Sequence, residues 1–553
     1  MQVCRPHTFI EGRNTKTGRA TIVLALAVTL AFAFTADSGT PGGSGGDAVL
    51  SAGMIPDPEY TFTITRTGAS FAATGTPGPI TVPAGTIQSV IDAIDTGRET
   101  AVKKLIFGNG GTVDLGDGTA VLRNGTYIIE GNVTSAGGVS DATIRTENGA
   151  SLYVDSEGAS IGTASSGVAV LNDSVTGTVN ISGGTVFGTG SSSYAVSNVT
   201  GTANISGGTI FTIGSGARSV SNVTGTVNIS GGAISGMSGD TVCKASSGAV
   251  NISGGTITTA TGNAVRNDSA GPVNISGGTI SATAASGVAV YNNSAGEVNI
   301  SGGVICAQCD AVFNSDTGII RISGTAAITS ACSGTMYAAI YLADRGSSSA
   351  VRLIIEGGTI GNVAGGVAVY NNSAGAIDIG GGTIVSSCTN SLYGTIYSSK
   401  AAPVNISGGT VLNTAGGKLI NPLNGNVNVT AVPAKLTRGA DVEKEYDGNA
   451  VTLAPEFRNL SVVVSAQWYK DGVPIDGATS MTHTVKNAGD SGEYVLKVTY
   501  AAAAGTTGTI ESDPIAVKIA GPGGNVPVLL IAGIIAIAAA VGLAAYWFLI
   551  RKP

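Results

Sequence analysis

The chain has 553 residues, 43% of them apolar and only 11% charged, with a net charge of −7. That balance excludes a charge-rich disordered chain, a coiled coil and a basic nucleic-acid binder. Glycine is abundant at 84 residues while proline is held to 17, which excludes collagen and favours many tight turns between short strands.

At the N-terminus, Arg13, Lys16 and Arg19 precede an uncharged apolar run from Ala20 to Phe34. The run is short for a membrane span and suits the hydrophobic part of a secretory signal. Small residues at Ala31 and Ala33 predict cleavage after Ala33, so residues 1–33 read as a signal peptide, with an uncleaved anchor as the alternative. Cys4 and His7 fall upstream of that cut. Residues 34–83 read as a linker and lead-in.

Residues 84–432 are dominated by one recurring phrase. Its first clear copy is Val179-Asn180-Ile181-Ser182-Gly183-Gly184-Thr185-Val186. Close copies have their first glycine at 207, 231, 254, 277, 302 and 408, and weaker ones at 324, 357 and 381. The spacing runs from 22 to 33 residues, which is the period of a solenoid. Val and Ile alternate with Asn and Ser, a strand period, and Gly-Gly makes a corner. A second phrase precedes the first, as in Val288-Ala289-Val290-Tyr291-Asn292-Asn293. Three short strands per repeat, with no helical pattern, predict one coil of a parallel β-helix. Asn180, Asn204, Asn228, Asn251, Asn274, Asn299, Asn405 and Asn428 are expected to stack in one outward column, with weaker coils from about 112 to 165.

The start of this region resembles the pectate-lyase-like right-handed parallel β-helix superfamily. The residues that carry the likeness are the amphipathic segment Thr86–Ile94, Gly110-Gly111-Thr112-Val113-Asp114-Leu115, and Asn124-Gly125-Thr126-Tyr127-Ile128-Ile129. The resemblance implies a helix plugging the first coil, where an open end would expose core and strand edges. A second module spans 436–519. Gln467-Trp468-Tyr469 followed by Asp490-Ser491-Gly492-Glu493-Tyr494 resembles an immunoglobulin-like domain. The family's second cysteine falls at Leu496, so its inter-sheet disulfide is absent. His483 belongs to this module.

Residues 520–525 are a Gly-rich linker, and Val526 to Ile550 carries no charge. As a helix that run reaches roughly 37 Å, enough to span a bilayer. Tyr546 and Trp547 sit where an aromatic belt lies, and Arg551 and Lys552 begin a three-residue cytoplasmic tail, 551–553. The expected fold is therefore all-β, a parallel β-helix plus an immunoglobulin-like β-sandwich, with a C-terminal transmembrane helix. The expected location is the cell membrane, single-pass, with the bulk of the chain outside.

Many β-helices of the resembling superfamily cleave polysaccharides. Its inverting members use clustered aspartates with a histidine and an Arg-Ile-Lys, whereas the coils here hold no histidine and Arg321-Ile322-Ser323 lacks the lysine. Its lyases use a calcium-binding acidic cluster, whereas Asp155, Asp173, Asp268, Asp310, Asp344, Glu356 and Asp378 read as scattered outward acids. Asp155 and Glu157 share a face, and Asp344 and Arg345 lie in the one long insertion. No catalytic residue, metal or cofactor is assigned. Tyr291, Tyr341, Tyr370 and Tyr397 form a stripe that either stacks on sugar rings or packs coil on coil. Cys306 and Cys309 form a C-x-x-C without further zinc ligands. Counting from the isoleucine after each corner puts Cys309 and Cys332 in one column of consecutive coils, hence a disulfide or a stacked thiol pair, with Cys243 and Cys388 unpaired. Together these readings indicate an adhesin-like surface protein that binds glycan or a surface partner and no nucleic acid. A polysaccharide lyase or hydrolase and a passive envelope stalk are the alternatives.

Overall fold

A computed structural model describes residues 55–520, apart from 79, 137–141, 335, 345–349, 416, 424–425, 430–434, 438–440, 446–448, 459–462 and 502–506. The expected signal peptide, the expected transmembrane helix and the Gly-rich linker beyond Ala520 lie outside the described residues. Among the described residues no helix is long and apolar enough to cross a membrane. The chain divides into two units, 1–431 and 432–553.

The first unit is a parallel β-solenoid. Thirteen strands, from Ala120–Arg123 to Ile420–Pro422, stack in parallel as one sheet, so the rod's axis runs roughly 58 Å at the usual spacing between strands. Two further ladders complete each coil. One carries the Val-Asn-Ile phrase, as in Thr178–Ile181 on Thr202–Ile205, and is called the Asn sheet here. The other carries the strand after the corner, as in Thr185–Gly188 on Thr209–Ser215. Leu353–Asn362 and Ile377–Ser386 run through the corner and join both ladders.

Alternation decides what is inside. Ile181, Ile205, Ile229, Ile252 and Ile275 are each 1% exposed and stack in one column, while the asparagine before each faces out. The Gly-Gly corner has two separate causes. A Cβ on Gly207 would sit 2.1 Å from the carbonyl oxygen of Ser182 in the coil below, so coil spacing leaves no room for it. Gly208 turns the chain at φ +73, a left-handed conformation that side chains disfavour.

At the N-terminal end a helix and an antiparallel strand pair pack against the first coils. In the helix Ile87–Asp95, Thr86 caps the first turn by accepting from the Ser89 N–H at 3.1 Å, and Ile87, Val90, Ile91 and Ile94 are buried. Part of the expected linker is also built in. Tyr60–Thr67 pairs antiparallel with Ser70–Thr76 and parallel with the first coil strand, Val102–Asp114. Lys103, fully buried, ties the cap to the coils through Asp95 at 3.0 Å, and Tyr127 donates to the same carboxylate. Burial raises the Asp95 pKa despite these partners.

In the second unit, Gly492–Ala501 pairs with Val463–Lys470, Thr507–Glu511 and Ile515–Ala520, all antiparallel. Separate antiparallel pairs join Val451–Leu453 to His483–Val485 and Lys435–Thr437 to Glu456–Arg458. Trp468 is fully buried and donates from Nε1 to the Ser480 carbonyl at 2.9 Å. The His483 ring stands 5.7 Å from Trp468 and 5.5 Å from Tyr494, and the Tyr494 hydroxyl donates to the Asp490 carbonyl at 2.7 Å. Leu496 is fully buried where the resembling family has its cysteine.

Candidate functional site

The Asn sheet presents a regular polar surface. Asn204 donates from Nδ2 to Asn180 Oδ1 at 2.9 Å, and the pattern repeats for Asn228 on Asn204, Asn251 on Asn228 and Asn274 on Asn251. Asn299 extends it at 3.1 Å; Arg321 and Ile354 then interrupt the column, and it resumes where Asn405 donates to Asp378 at 2.7 Å and Asn428 to Asn405. Beside each of the first asparagines stands an exposed serine: Ser182, Ser206, Ser230, Ser253 and Ser276. No charged residue occupies an outward position of this sheet from Thr178 to Ser276.

The tyrosine stripe is a continuous ladder on the 13-stranded sheet. Tyr291, Phe313, Tyr341 and Tyr370 stack nearly parallel, with centroids 5.4, 4.9 and 5.0 Å apart. Tyr397 meets Tyr370 edge-on at 5.0 Å, and Tyr393 covers that end. Tyr370 and Tyr397 are only 9% and 8% exposed and form a small apolar cluster with Ala338, Val367 and Cys388. The ring faces from Phe313 to Tyr370 are thus taken by neighbouring rings, and the outer face of Tyr291 by the Arg266 guanidinium at 5.4 Å from the ring centre. Phe313 is a rung of the same ladder that a tyrosine pattern alone does not reveal. Its register opposite Tyr291 was available from the shared Val-x-Asn pattern.

The outward acids remain scattered, and four of them are paired with a basic side chain. Asp173 pairs with Arg145 at 2.6 Å, Asp268 with Arg266 at 2.8 Å, Asp344 with Lys400 at 3.2 Å and Glu356 with Arg321 at 3.3 Å. Arg345 lies outside the described residues. Asp155 lines a shallow groove of about 420 Å³ with Asp57, Lys104 and Glu130, where Lys104 pairs with Glu130. Among the described residues no group of three His, Cys, Asp or Glu side chains is placed to hold a metal ion. Asp310 departs from expectation. It is 7% exposed, accepts the Ala338 N–H at 2.8 Å, and burial pushes its carboxyl up to about 7.

No protein-family model matches the chain, and no curated protein matches it significantly.

A second asparagine ladder, unforeseen, runs inside the 13-stranded sheet. Asn172 donates to Asn198 at 2.6 Å, Asn198 to Asn222 at 2.9 Å, and Asn267 to Asn292 at 2.9 Å, all essentially without exposure. Strand parity was the signal, since Val290 and Asn292 fall on one side and Tyr291 on the other. Between Asn222 and Asn267 the column holds Lys244. Its ammonium, fully buried, donates to Ser246 O at 2.9 Å, Ser269 O at 3.1 Å and Ser269 Oγ at 2.6 Å. No carboxylate pairs with it among the described residues, and burial lowers its pKa to about 8. The unfolded chain therefore holds this proton more tightly than the folded one, and stability rises as pH climbs from about 8 toward 10.5. Lys244→Asn restores the ladder residue. It is expected to stabilise the solenoid at pH 7 by about 2 kcal/mol and to remove the alkaline gain, as read by denaturant melts at pH 7 and 10. A variant less stable at pH 7 would show that the three acceptors fully compensate the charge.

Proposed function

We propose that the protein is a membrane-anchored, adhesin-like cell-surface rod that holds a neutral, unbranched polysaccharide along its Asn sheet. In this reading the second unit is an immunoglobulin-like module preceding the membrane helix, and the solenoid is related to pectate-lyase-like β-helices without their chemistry. The buried Trp468 and the Tyr494 hydroxyl bonded four residues back support the immunoglobulin-like assignment.

One observation carries the binding reading. An asparagine side chain offers two N–H donors and two acceptor lone pairs. The ladder uses one of each, so each coil from Asn180 to Asn299 keeps a donor and an acceptor for a partner, repeated about every 4.8 Å. With no charge on this stretch, a neutral partner desolvates no ion there. A hydroxyl-rich chain lying along the axis can meet the same pair of groups in coil after coil.

Cells displaying the full chain are expected to adhere to a surface coated with neutral linear polysaccharide and to lose adhesion after protease is added outside. Ser230→Lys with Ser253→Lys, which breaks no hydrogen bond of the ladder, is expected to reduce adhesion at least tenfold without lowering the melting temperature. Absence of adhesion would favour a passive stalk. Adhesion unchanged by the double variant would move the site off this sheet.

A further inference from the structure

Cys309 and Cys332 lie two residues beyond the paired positions Ala307 and Ser330 of consecutive coils. Their sulfurs stand 3.4 Å apart, with the Cys309 thiol donating to Cys332. The two differ in access. Cys309 is 7% exposed, whereas Cys332 is half-buried and followed by the exposed residues Ser333, Met336 and Tyr337. Gly334, near the Cys332 sulfur, carries no side chain to cover it. The Cys332 backbone is anchored from the next coil, since Asn362 Nδ2 donates to its carbonyl at 3.1 Å. Cys243 and Cys388, by contrast, have no exposure at all.

We propose that Cys332 and Cys309 are a vicinal thiol pair that closes into an inter-coil disulfide by exchange with a low-molecular-weight disulfide, Cys332 attacking first and Cys309 resolving. The Cys332 thiolate attacks one sulfur of the small disulfide, forming a mixed disulfide and expelling one small thiolate. Cys309 then loses its proton, attacks the Cys332 sulfur and expels the second small thiolate. Two protein S–H bonds and one small S–S bond are lost. One protein S–S bond and two small-molecule S–H bonds are made, so atoms and electrons balance. The order follows from access and acidity together, because burial and the neighbouring sulfur push the Cys309 thiol up to about 12, leaving it the poorer first nucleophile. This assignment is independent of what the Asn sheet binds. Closure would tether the turn after Cys332 to the preceding coil, beside Asp310 and the tyrosine ladder.

The test uses the full chain, reduced and then exposed to oxidised glutathione, with peptide mapping by mass spectrometry. The wild type is expected to yield a Cys309–Cys332 cross-linked peptide. Cys309→Ser should trap one glutathionyl group on Cys332, and Cys332→Ser should leave Cys309 unmodified over the same period, at least a tenfold difference in rate. A wild type keeping both thiols, a bridge formed through Cys306, or equal labelling of the two variants would overturn the proposal. The wild-type map decides even where a serine variant fails to fold.

Discussion

Ile275→Asp is expected to unfold the solenoid or cost it several kcal/mol, whereas Asn274→Asp, one residue away, should cost about 1 kcal/mol. Ile275 is 1% exposed and packs on Ile252 below and Ile300 above. A carboxylate there has no donor and no water. Asn274 lies half-buried in the outward ladder, and its replacement removes one donor, the bond to Asn251. Asn299 can still donate to the new side chain. The column already accepts an acid at Asp378, which receives the Asn405 amide at 2.7 Å. Thermal melts of the two variants side by side measure the difference. Equal losses would mean that the inward and outward assignment is wrong.

Asp310→Asn should change how the fold responds to pH. The folded carboxyl titrates near 7 against an ordinary value of 3.8, so the folded state binds its proton more tightly than the unfolded chain. The stability this group contributes is complete below pH 4 and is lost as pH rises to about 7. Asparagine keeps an acceptor for the Ala338 N–H and has no proton to lose. At pH 8 the variant is therefore expected to be more stable by up to ~4 kcal/mol, with the difference vanishing near pH 4. The neighbouring Cys309 and Tyr341 both have raised pKa values and stay neutral across this window. Denaturant midpoints at pH 4.5 and 8 provide the check. Parallel pH dependence in the two proteins would show that the carboxyl is paired or solvated.

This protein's sequence by itself determined the features that depend on a repeat of fixed length and on strand parity. A coil of about 24 residues brings equivalent positions into contact, so the outward column from Asn180 to Asn299 and the neighbouring sulfurs of Cys309 and Cys332 could be placed by counting. The cap helix was legible for a similar reason, since Thr86 and the apolar spacing behind it are local signals. Tertiary structure alone decided what covers each position. Asp310 reads as one of the scattered outward acids, yet it is 7% exposed and held by the Ala338 N–H of the next coil. No local signal marks Lys244, yet its register with Asn222 and Asn267 draws its ammonium inside among serine oxygens. The tyrosines read either as a sugar-stacking stripe or as packing between coils, and a coil spacing close to the distance between stacked ring centroids turns their faces onto one another. Parity and period are properties of the backbone that each residue carries with it, whereas solvent access belongs to the neighbouring coils and turns.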